Sequence, residues 1–283
     1  MRTAISTAPV SRAPLAAALV FRRRISARAR WLLPEELRVN TALTAFRSDA
    51  NGSLVQAAMQ AVTQHIRDKR LRVGDTLPGE AHFAEALDVS RAVMREAFGA
   101  LAALKLIDVG NGRKPRVGAL DGSVIATSLD HAVSTAQITV PEIWDVRRTI
   151  EMRTAALAAT QRTDKEAAII MSFAEAMVAD RDNLAKRSQH DIAFHKAIAQ
   201  ASHNVLFVQI VASFAPLMEV AVPAAWHTRK AKKEQQLMIE RHIAIASAIK
   251  NRDADAAAEA MSAHFDSAIG DMLRAQAAQN GAA

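Results

Sequence analysis

GDTLPGE (residues 74–80) and VSRAVMREA (residues 89–97) are the two stretches that decide the fold of the N-terminal half of this chain. The Pro-Gly pair of the first stretch predicts a turn, after which a helix begins at Glu80. Ser90 in the second stretch is a favourable N-cap for another helix, which is predicted over residues 91–105. Two short helices separated by a tight turn are typical of a helix-turn-helix.

The second of these helices is the one that we expect to contact DNA. Arg91 and Arg95 are four residues apart and therefore share one face of the helix, near its N-terminal end. A recognition helix inserts this end into the major groove, where guanidinium groups bind guanine edges or phosphates. The opposite face is apolar and is predicted to face the core, through Val93, Ala97, Leu101 and Leu104.

Elements on either side of the helix pair are predicted to complete a winged domain. The preceding segment has an apolar residue at every fourth position, which predicts an amphipathic helix with Leu54, Ala58, Val62 and Ile66 on one face. After the pair, Asn111 and Gly112 separate two short apolar runs, and Asn-Gly in this setting is a strong hairpin signal. Arg113 follows on the hairpin, where it is expected to touch phosphates or the minor groove.

The distribution of charge agrees with a polyanion partner at this end of the chain. The formal net charge is +7, and the excess of Lys and Arg over Asp and Glu lies within the first 119 residues. Any exposed helix carries arginines, so the arginine pair means little alone. The order of elements, a helix, a helix-turn-helix and a basic hairpin, is the more specific indication of DNA binding.

The sequence resembles the DNA-binding domain of GntR-family bacterial regulators at residues 74–80 and 89–97. The family pattern is Leu-Pro-x-Glu-Arg followed by Val-Ser-Arg-x-x-Val-Arg-Glu-Ala, and the similarity spans residues 53–118. It implies that Arg91, Arg95 and the neighbouring Ser90 contact DNA, together with the wing tip formed by Asn111, Gly112 and Arg113. The family usually has Arg at the position of Ala81, so the operator preference is expected to differ from the common one. The galactonate-operon repressor group also has Ala there, so this difference does not imply loss of DNA binding.

The C-terminal part is predicted to be all-α. After a linker at residues 119–140, which has few large apolar side chains, helical patterns follow one another without a second hairpin signal. The predicted helices span 141–161, 164–186, 187–202, 204–222, 233–251 and 253–276. The fold class is therefore mainly α, with a winged helix-turn-helix at residues 51–118 and an antiparallel bundle of six to seven helices at residues 141–276.

Four side chains in this bundle are candidates for metal ligands. Asp191 and His195 are four residues apart and share a helix face, and His242 and His264 lie on two later helices. Carboxylate and imidazole groups suit zinc, manganese or nickel, with positions left open for water or a ligand. The alternative is that these histidines are solvated or hydrogen-bonded without a metal.

Residues 143–275 resemble the FCD ligand-binding domain of the FadR subfamily of GntR regulators. The metal-binding members of that subfamily have the signature Asp-x-x-x-His, followed by two further His. Asp191, His195, His242 and His264 match it in order and spacing. The resemblance therefore implies a divalent metal, with zinc expected first and manganese or nickel as alternatives.

The resemblance also implies residues that bind an effector. WDVRRTIE at residues 144–151 is similar to a first-helix motif whose Arg, here Arg147, points into the pocket and would pair with a carboxylate. The alternative is a surface ion pair with Glu151, four residues further on. Asn204 matches a family Asn at a helix start. Sugar-acid regulators have an aromatic residue of the pocket near the position of Trp226, which implies that Trp226 contacts the effector. Packing in the core is an equal alternative.

The composition excludes several kinds of site. The chain has no cysteine, which excludes disulfides, iron–sulfur clusters, thiolate zinc sites and cysteine nucleophiles. No apolar run reaches the roughly 18 residues of a membrane span, so we expect a cytoplasmic protein without a membrane partner. Residues 1–50 are interpreted as a basic, disordered extension or a start codon assigned too early, with an Arg- and Ser-rich presequence as the alternative. Residues 277–283 are interpreted as a disordered tail.

These features together predict a transcriptional regulator, with repression favoured. A homodimer would bind a palindromic operator in double-stranded DNA, and a small carboxylate bound at the metal would change that binding. A sugar acid or another organic acid is expected, an aldonate first. One alternative is a metal-dependent enzyme with a DNA-targeting head, although H-E-x-x-H is absent from the sequence. Another is a constitutive DNA-binding protein without an effector.

Overall fold

The computed structural model describes residues 52–229 and 231–280, and the predicted extension at residues 1–50 lies outside them. Contacts divide the chain into two compact units, with the boundary between Ala119 and Leu120. The first unit contains α1 (Gly52–Asp68), α2 (Glu80–Leu87), α3 (Arg91–Ala103), β1 (Ile107–Gly110) and β2 (Arg113–Val117).

The three helices of the first unit enclose a small apolar core. Phe83 of α2 packs against Phe98 of α3 with ring centroids 5.9 Å apart. The other buried apolar residues of the three helices are Ala58, Val62, Ala84, Val93, Met94, Ala97 and Leu101. Leu54 and Leu104 were predicted to face this core, but each is 45% exposed. They lie in the first turn of α1 and just after the end of α3, where no helix of the described residues covers them.

The hairpin forms as predicted, and backbone hydrogen bonds join it to residues 74–80. The turn residue Gly112 has φ +73°, a conformation in which a Cβ would be strained. The N–H of Leu77 donates to the carbonyl of Pro115 (2.8 Å), and the N–H of Val117 donates to the carbonyl of Asp75 (2.9 Å). The hairpin is thereby fixed to the segment that leads into α2.

The second unit is all-α in its described residues. It contains α4 (Ser123–Ser134), α5 (Val140–Gln161), α6 (Asp164–Ala179), α7 (Leu184–Ala201), α8 (Val205–Ser213), α9 (Ala215–Thr228), α10 (Lys232–Lys250) and α11 (Ala254–Asn280). The core lies between α5, α6, α7, α9, α10 and α11, where small residues such as Ala155, Ala158 and Ala174 let the helices approach closely.

The segment at residues 119–140, interpreted as a linker, contains helix α4. Its apolar residues are few, but Ala126, Leu129 and Val133 recur at helical spacing. Ala126 is buried, while Leu129 and Val133 pack against the core of the second unit. The interpretation as a linker was therefore wrong for most of this segment.

Two of the predicted helices have different limits in the structure. The predicted helix 164–186 ends at Ala179, and the next begins after Asn183, whose side chain accepts a hydrogen bond from the N–H of Lys186 (3.1 Å). The predicted helix 204–222 is divided into α8 and α9, which bend by 57°. Pro216 lies in the first turn of α9 and cannot donate the hydrogen bond that would continue α8.

The helical pattern at the C-terminal end continues into the predicted tail. Helix α11 extends to Asn280 and therefore includes residues 277–280 of the segment that was interpreted as a disordered tail. Within residues 52–229 and 231–280, no single helix is long and apolar enough to cross a membrane, and the bent pair α8–α9 meets that criterion only when both helices are taken together.

Candidate functional site

The four predicted metal ligands meet inside the second unit. Asp191 and His195 lie on α7, His242 on α10 and His264 on α11, and all four are between 0% and 7% exposed. One ring nitrogen from each histidine lies within 4.8 Å of the other two. The carboxylate of Asp191 faces them, with Oδ1 3.6 Å from Nε2 of His195 and Oδ2 3.5 Å from Nε2 of His242.

Three of the histidine nitrogens in this cluster have no hydrogen-bond partner among the described residues. Nε2 of His195, Nε2 of His242 and Nδ1 of His264 are buried and unpaired. Buried polar atoms are nearly always satisfied, so three unpaired nitrogens beside one carboxylate need an explanation. Three imidazoles and a carboxylate are a donor set that divalent zinc, manganese or nickel accepts, and the residues present therefore fit a metal ion.

Hydrogen bonds behind the cluster turn two of the rings toward its centre. Nδ1 of His195 lies 2.5 Å from Oε2 of Glu151, and Nδ1 of His242 lies 2.8 Å from the carbonyl oxygen of Met238. Both partners are acceptors, so each Nδ1 carries a proton and Nε2 is the nitrogen that faces the cluster. This is the ring orientation that metal binding through Nε2 requires.

The electrostatics of the cluster favour the protonation states of metal ligands. Burial alone would raise the pKa of Asp191, but the neighbouring imidazoles, His242 first, hold that pKa well below its ordinary value. Burial lowers the pKa of His264, and the proximity of His242 and His195 lowers it further. An ionised carboxylate therefore lies beside a neutral His264 ring, and both can donate electron pairs to a cation.

A cavity of about 100 Å³ lies beside the cluster. Its polar lining includes Asp191 and His195, with Arg147 and Lys196 as the cationic groups. The remaining lining residues are apolar, namely Ile192, Val211, Ala212, Ala215, Met218 and Val222. The sequence had not indicated this apolar lining, because α8 and α9 carry no motif that marks a pocket.

Arg147 lines the cavity and also forms the ion pair that was its alternative interpretation. Its Nε lies 2.7 Å from Oε1 of Glu151, but both side chains are buried, so the pair is not a surface pair. The guanidinium lies 4.7 Å from the ring centroid of Trp144 and 5.2 Å from that of Phe265. Burial would raise the pKa of Glu151, yet the charges of Arg147 and His195 hold it below its ordinary value.

Trp226 is buried behind the metal ligands and is not among the residues that line the cavity. Its indole N–H donates to Oδ2 of Asp191 (3.2 Å), and its ring stacks near His242 with centroids 6.5 Å apart. The guanidinium groups of Arg187 and Arg229 lie 4.0 Å and 5.1 Å from its ring centroid. The structure therefore places Trp226 in the core, in contact with a candidate ligand.

Asn204 is not brought to the cavity. Its side chain is exposed and accepts hydrogen bonds from the N–H groups of Leu206 (3.0 Å) and Phe207 (3.4 Å), so it caps the start of α8. It follows the end of α7, which lies about 15 Å along that helix from Asp191 at 1.5 Å per residue. Besides the cavity lining, Glu151 is a residue of the site that the sequence did not indicate, although its spacing from Arg147 was visible.

In the first unit, the residues predicted to contact DNA lie on α3 and at the hairpin tip. Arg91 is exposed, and so is Arg95, whose side chain is 79% exposed and lies 3.9 Å from Glu80. The hydroxyl of Ser90 accepts a hydrogen bond from the N–H of Val93 (3.2 Å) and caps α3. At the tip, Asn111, Gly112 and Arg113 are exposed, and Arg113 lies 2.8 Å from Asp108.

Comparison with known proteins yields two family matches and several relatives. Residues 54–117 match the model for bacterial regulatory proteins of the gntR family, and residues 142–267 match the FCD domain. The Glc operon transcriptional activator of Escherichia coli K12 is 32% identical over 210 residues, which cover 72% of this chain and 83% of the relative.

Two further relatives are repressors. The galactonate operon transcriptional repressor of Escherichia coli K12 is 29% identical over 66% of this chain and 82% of its own length. The repressor NanR of Salmonella schwarzengrund is 26% identical over 77% and 84%. Among solved structures, a GntR protein of Streptococcus agalactiae has a TM-score of 0.55 at 23% identity, covering 76% of this chain and 98% of its own. That likeness concerns the fold.

Proposed function

Since the chain belongs to the GntR family of bacterial regulatory proteins and is a transcriptional regulator, not an enzyme, we propose that a divalent metal ion and a small organic acid in its FCD domain together control its binding to DNA. The metal ligands in this proposal are Asp191, His195, His242 and His264. The observation that carries it is the convergence of three unpaired, buried imidazole nitrogens and one carboxylate beside a cavity that Arg147 lines.

The metal proposed first is zinc, with manganese and nickel as alternatives. Three imidazoles and one carboxylate suit all three metals, and a coordination sphere of five or six would leave positions open for the effector. When bound, the metal would supply a Lewis acid for a carboxylate or hydroxyl group of the effector. Arg147 would orient the effector through a charge-assisted hydrogen bond, and the apolar walls would exclude water from around it.

The volume and the apolar lining of the cavity favour one class of effector. An engineered cavity of about 150 Å³ accommodates benzene, which has six non-hydrogen atoms. The cavity of about 100 Å³ is therefore suited to a short acid of similar or smaller size. Its walls on α8 and α9 offer apolar side chains and not hydrogen-bonding groups for a polyhydroxylated chain. Among the organic acids predicted from the sequence, we therefore favour short hydroxy acids or dicarboxylic acids over an aldonate.

The DNA-binding part of the proposal places the N-terminal end of α3 in the major groove. Arg91 and Arg95 would contact base edges or phosphates there, and Arg113 at the hairpin tip would contact phosphates or the minor groove. A homodimer in the cytoplasm would bind the two halves of a palindromic operator. The effector would favour one of two dimer arrangements and thereby change operator affinity.

We favour repression as the sign of regulation, as in the galactonate and NanR relatives. Expression of a reporter gene fused to the operator tests whether the protein represses transcription.

Thermal unfolding tests the metal and effector together. Purified protein would be heated as prepared, after chelation and after reloading with Zn²⁺, against glycolate, lactate, malonate and galactonate. A ligand that binds only the native state raises the unfolding midpoint by mass action. We expect Zn²⁺ to raise the midpoint and a short acid to raise it further, but only in the Zn²⁺-loaded form.

A matched pair of histidine variants controls this experiment. His242→Ala removes a buried candidate ligand, whereas His227→Ala removes an exposed histidine of the same unit. We expect the response to Zn²⁺ to disappear only in His242→Ala. If chelation changes nothing and no acid shifts the midpoint, the metal-centred sensor is wrong. The protein would then be interpreted as a DNA-binding regulator without an effector at this site.

A further inference from the structure

One buried carboxylate touches both parts of the proposed effector site. Oε1 of Glu151 accepts a hydrogen bond from Nε of Arg147 (2.7 Å), and Oε2 lies 2.5 Å from Nδ1 of His195. Arg147 and His195 both line the cavity. The other ring nitrogen of His195 is one of the three unpaired nitrogens of the cluster and lies 3.6 Å from Oδ1 of Asp191. A continuous chain of contacts therefore runs from the cationic wall of the cavity to the metal cluster.

Glu151 cannot change its contact with one partner without affecting the other. Its side chain is 1% exposed, so a buried negative charge is compensated by neighbouring protein groups and not by bulk water. An anion bound to Arg147 would reduce the compensation from that side and leave Glu151 a stronger acceptor for His195. A cation at Nε2 of His195 would make its Nδ1–H a stronger donor to Glu151. Binding of an anion at Arg147 therefore favours binding of a cation at His195, and the reverse.

We propose that Glu151 is a positioning residue that couples metal binding at His195 to carboxylate binding at Arg147, so that each ligand raises the affinity for the other. This inference rests on the proposed function, because it needs both ligands to bind. It differs from the simplest alternative, in which the effector carboxylate ligates the metal directly. Direct ligation also produces coupling, but that coupling does not need Glu151.

The experiment measures Zn²⁺ affinity of the full chain by competition with a chelator, without and with saturating acetate as the carboxylate probe. The variants are Glu151→Gln, which keeps the size of the side chain, and Glu175→Gln, which alters an exposed glutamate of α6. Coupling between two sites is typically about 5- to 150-fold. We expect acetate to raise Zn²⁺ affinity by about tenfold in the unmodified protein and in Glu175→Gln, and by less than about twofold in Glu151→Gln.

The possible results separate this inference from the proposed function. If Glu151→Gln keeps the full effect of acetate, direct ligation explains the coupling and the role of Glu151 is overturned. If the unmodified protein binds Zn²⁺ but does not respond to acetate, the coupling is overturned and the metal site remains. If it binds no Zn²⁺, both ideas fail.

A second variant keeps the test decisive if Glu151→Gln does not fold, as judged by its helical circular dichroism. Glu151→Asp keeps the charge, but its side chain is one methylene shorter and cannot reach both partners. It is expected to lose the effect of acetate in the same way. Retention of the full effect in a folded Glu151→Asp protein would overturn the proposal.

Discussion

The indole of Trp226 fixes the position of a single oxygen atom in the candidate metal site. Its N–H donates to Oδ2 of Asp191 (3.2 Å), and both residues are buried. Trp226→Phe keeps an aromatic ring but removes the donor, which leaves Asp191 freer to turn away from the histidines. Groups that orient metal ligands typically contribute about 10- to 100-fold to metal affinity, and we expect a loss of that size. Chelator competition with Zn²⁺ measures it.

Trp144 provides the control for this variant. Its indole nitrogen is buried without a hydrogen-bond partner among the described residues, and its ring lies 5.6 Å from that of Phe265. Trp144→Phe therefore makes the same change of ring size in the same unit, without removing a contact to Asp191. An equal loss of Zn²⁺ affinity in both variants would show that Trp226 acts through packing alone.

The exposed arginines of α3 should affect DNA binding without affecting stability. Arg91→Ala and Arg95→Ala are each expected to weaken operator binding about tenfold or more, because a good base contact contributes about 1–3 kcal/mol. Their unfolding free energies should stay within about 0.5 kcal/mol of the unmodified protein, as for most surface substitutions. Arg153→Ala, at an exposed position of α5, is the control and should bind the operator normally. Fluorescence anisotropy with labelled operator DNA gives these affinities.

For single residues, spacing along the sequence predicted partners on the same helix but did not predict burial. The i,i+4 relation of Arg147 and Glu151 correctly suggested an ion pair. That the pair is buried depends on Phe265 and Met218, which come from distant helices. The shared role of Glu151 could not be predicted, because it depends on His195 lying opposite on α7.

At the scale of elements, the hydrogen bonds of Asn204 predict a structural role for it. Its Oδ1 accepts from two N–H groups in the first turn of α8, which would otherwise be unpaired. Asn204→Ala is expected to lower the unfolding free energy by about 1 kcal/mol. The affinity for an acid that binds the unmodified protein should not change, because Asn204 is not among the lining residues of the cavity. Chemical denaturation and ligand titration measure the two quantities.

Asn204→Asp tests the physical reason for that expectation. Aspartate is about as favourable an N-cap as asparagine, so it should restore most of the lost stability. If Asn204→Ala instead abolished acid binding while stability was unchanged, the effector role predicted from the sequence would be correct and the capping interpretation would be wrong.

The start of α6 followed from the sequence, whereas the start of α7 was missed although Asn183 caps it. Thr163 and Glu166 form a capping box at the start of α6, at the predicted position. The division between α8 and α9 was missed, because the apolar pattern continues through Phe214 and the preference of Pro216 for a first turn was not weighed. Helix α4 was missed because its few apolar residues suffice only when a neighbouring surface is available to bury them.

At the scale of the whole molecule, the sequence predicted two parts because their patterns differ in kind. One part has short helices and an Asn-Gly hairpin, and the other has long helical patterns without a hairpin. The metal cluster could be predicted only through the resemblance to a known family. Its histidines lie on three helices, α7, α10 and α11, and spacing alone does not determine which faces of distant helices meet.

Control of DNA binding by an effector implies a reciprocal effect of DNA on the effector. If the acid that most strongly stabilises the Zn²⁺-loaded protein weakens operator binding by some factor, operator DNA must weaken binding of that acid by the same factor, typically 5- to 150-fold. Isothermal titration of the acid into free protein and into the protein–operator complex measures this factor. The control is DNA of scrambled sequence. Equal acid affinity in all three titrations would mean that the acid binds without affecting DNA recognition, and the two units would then act independently.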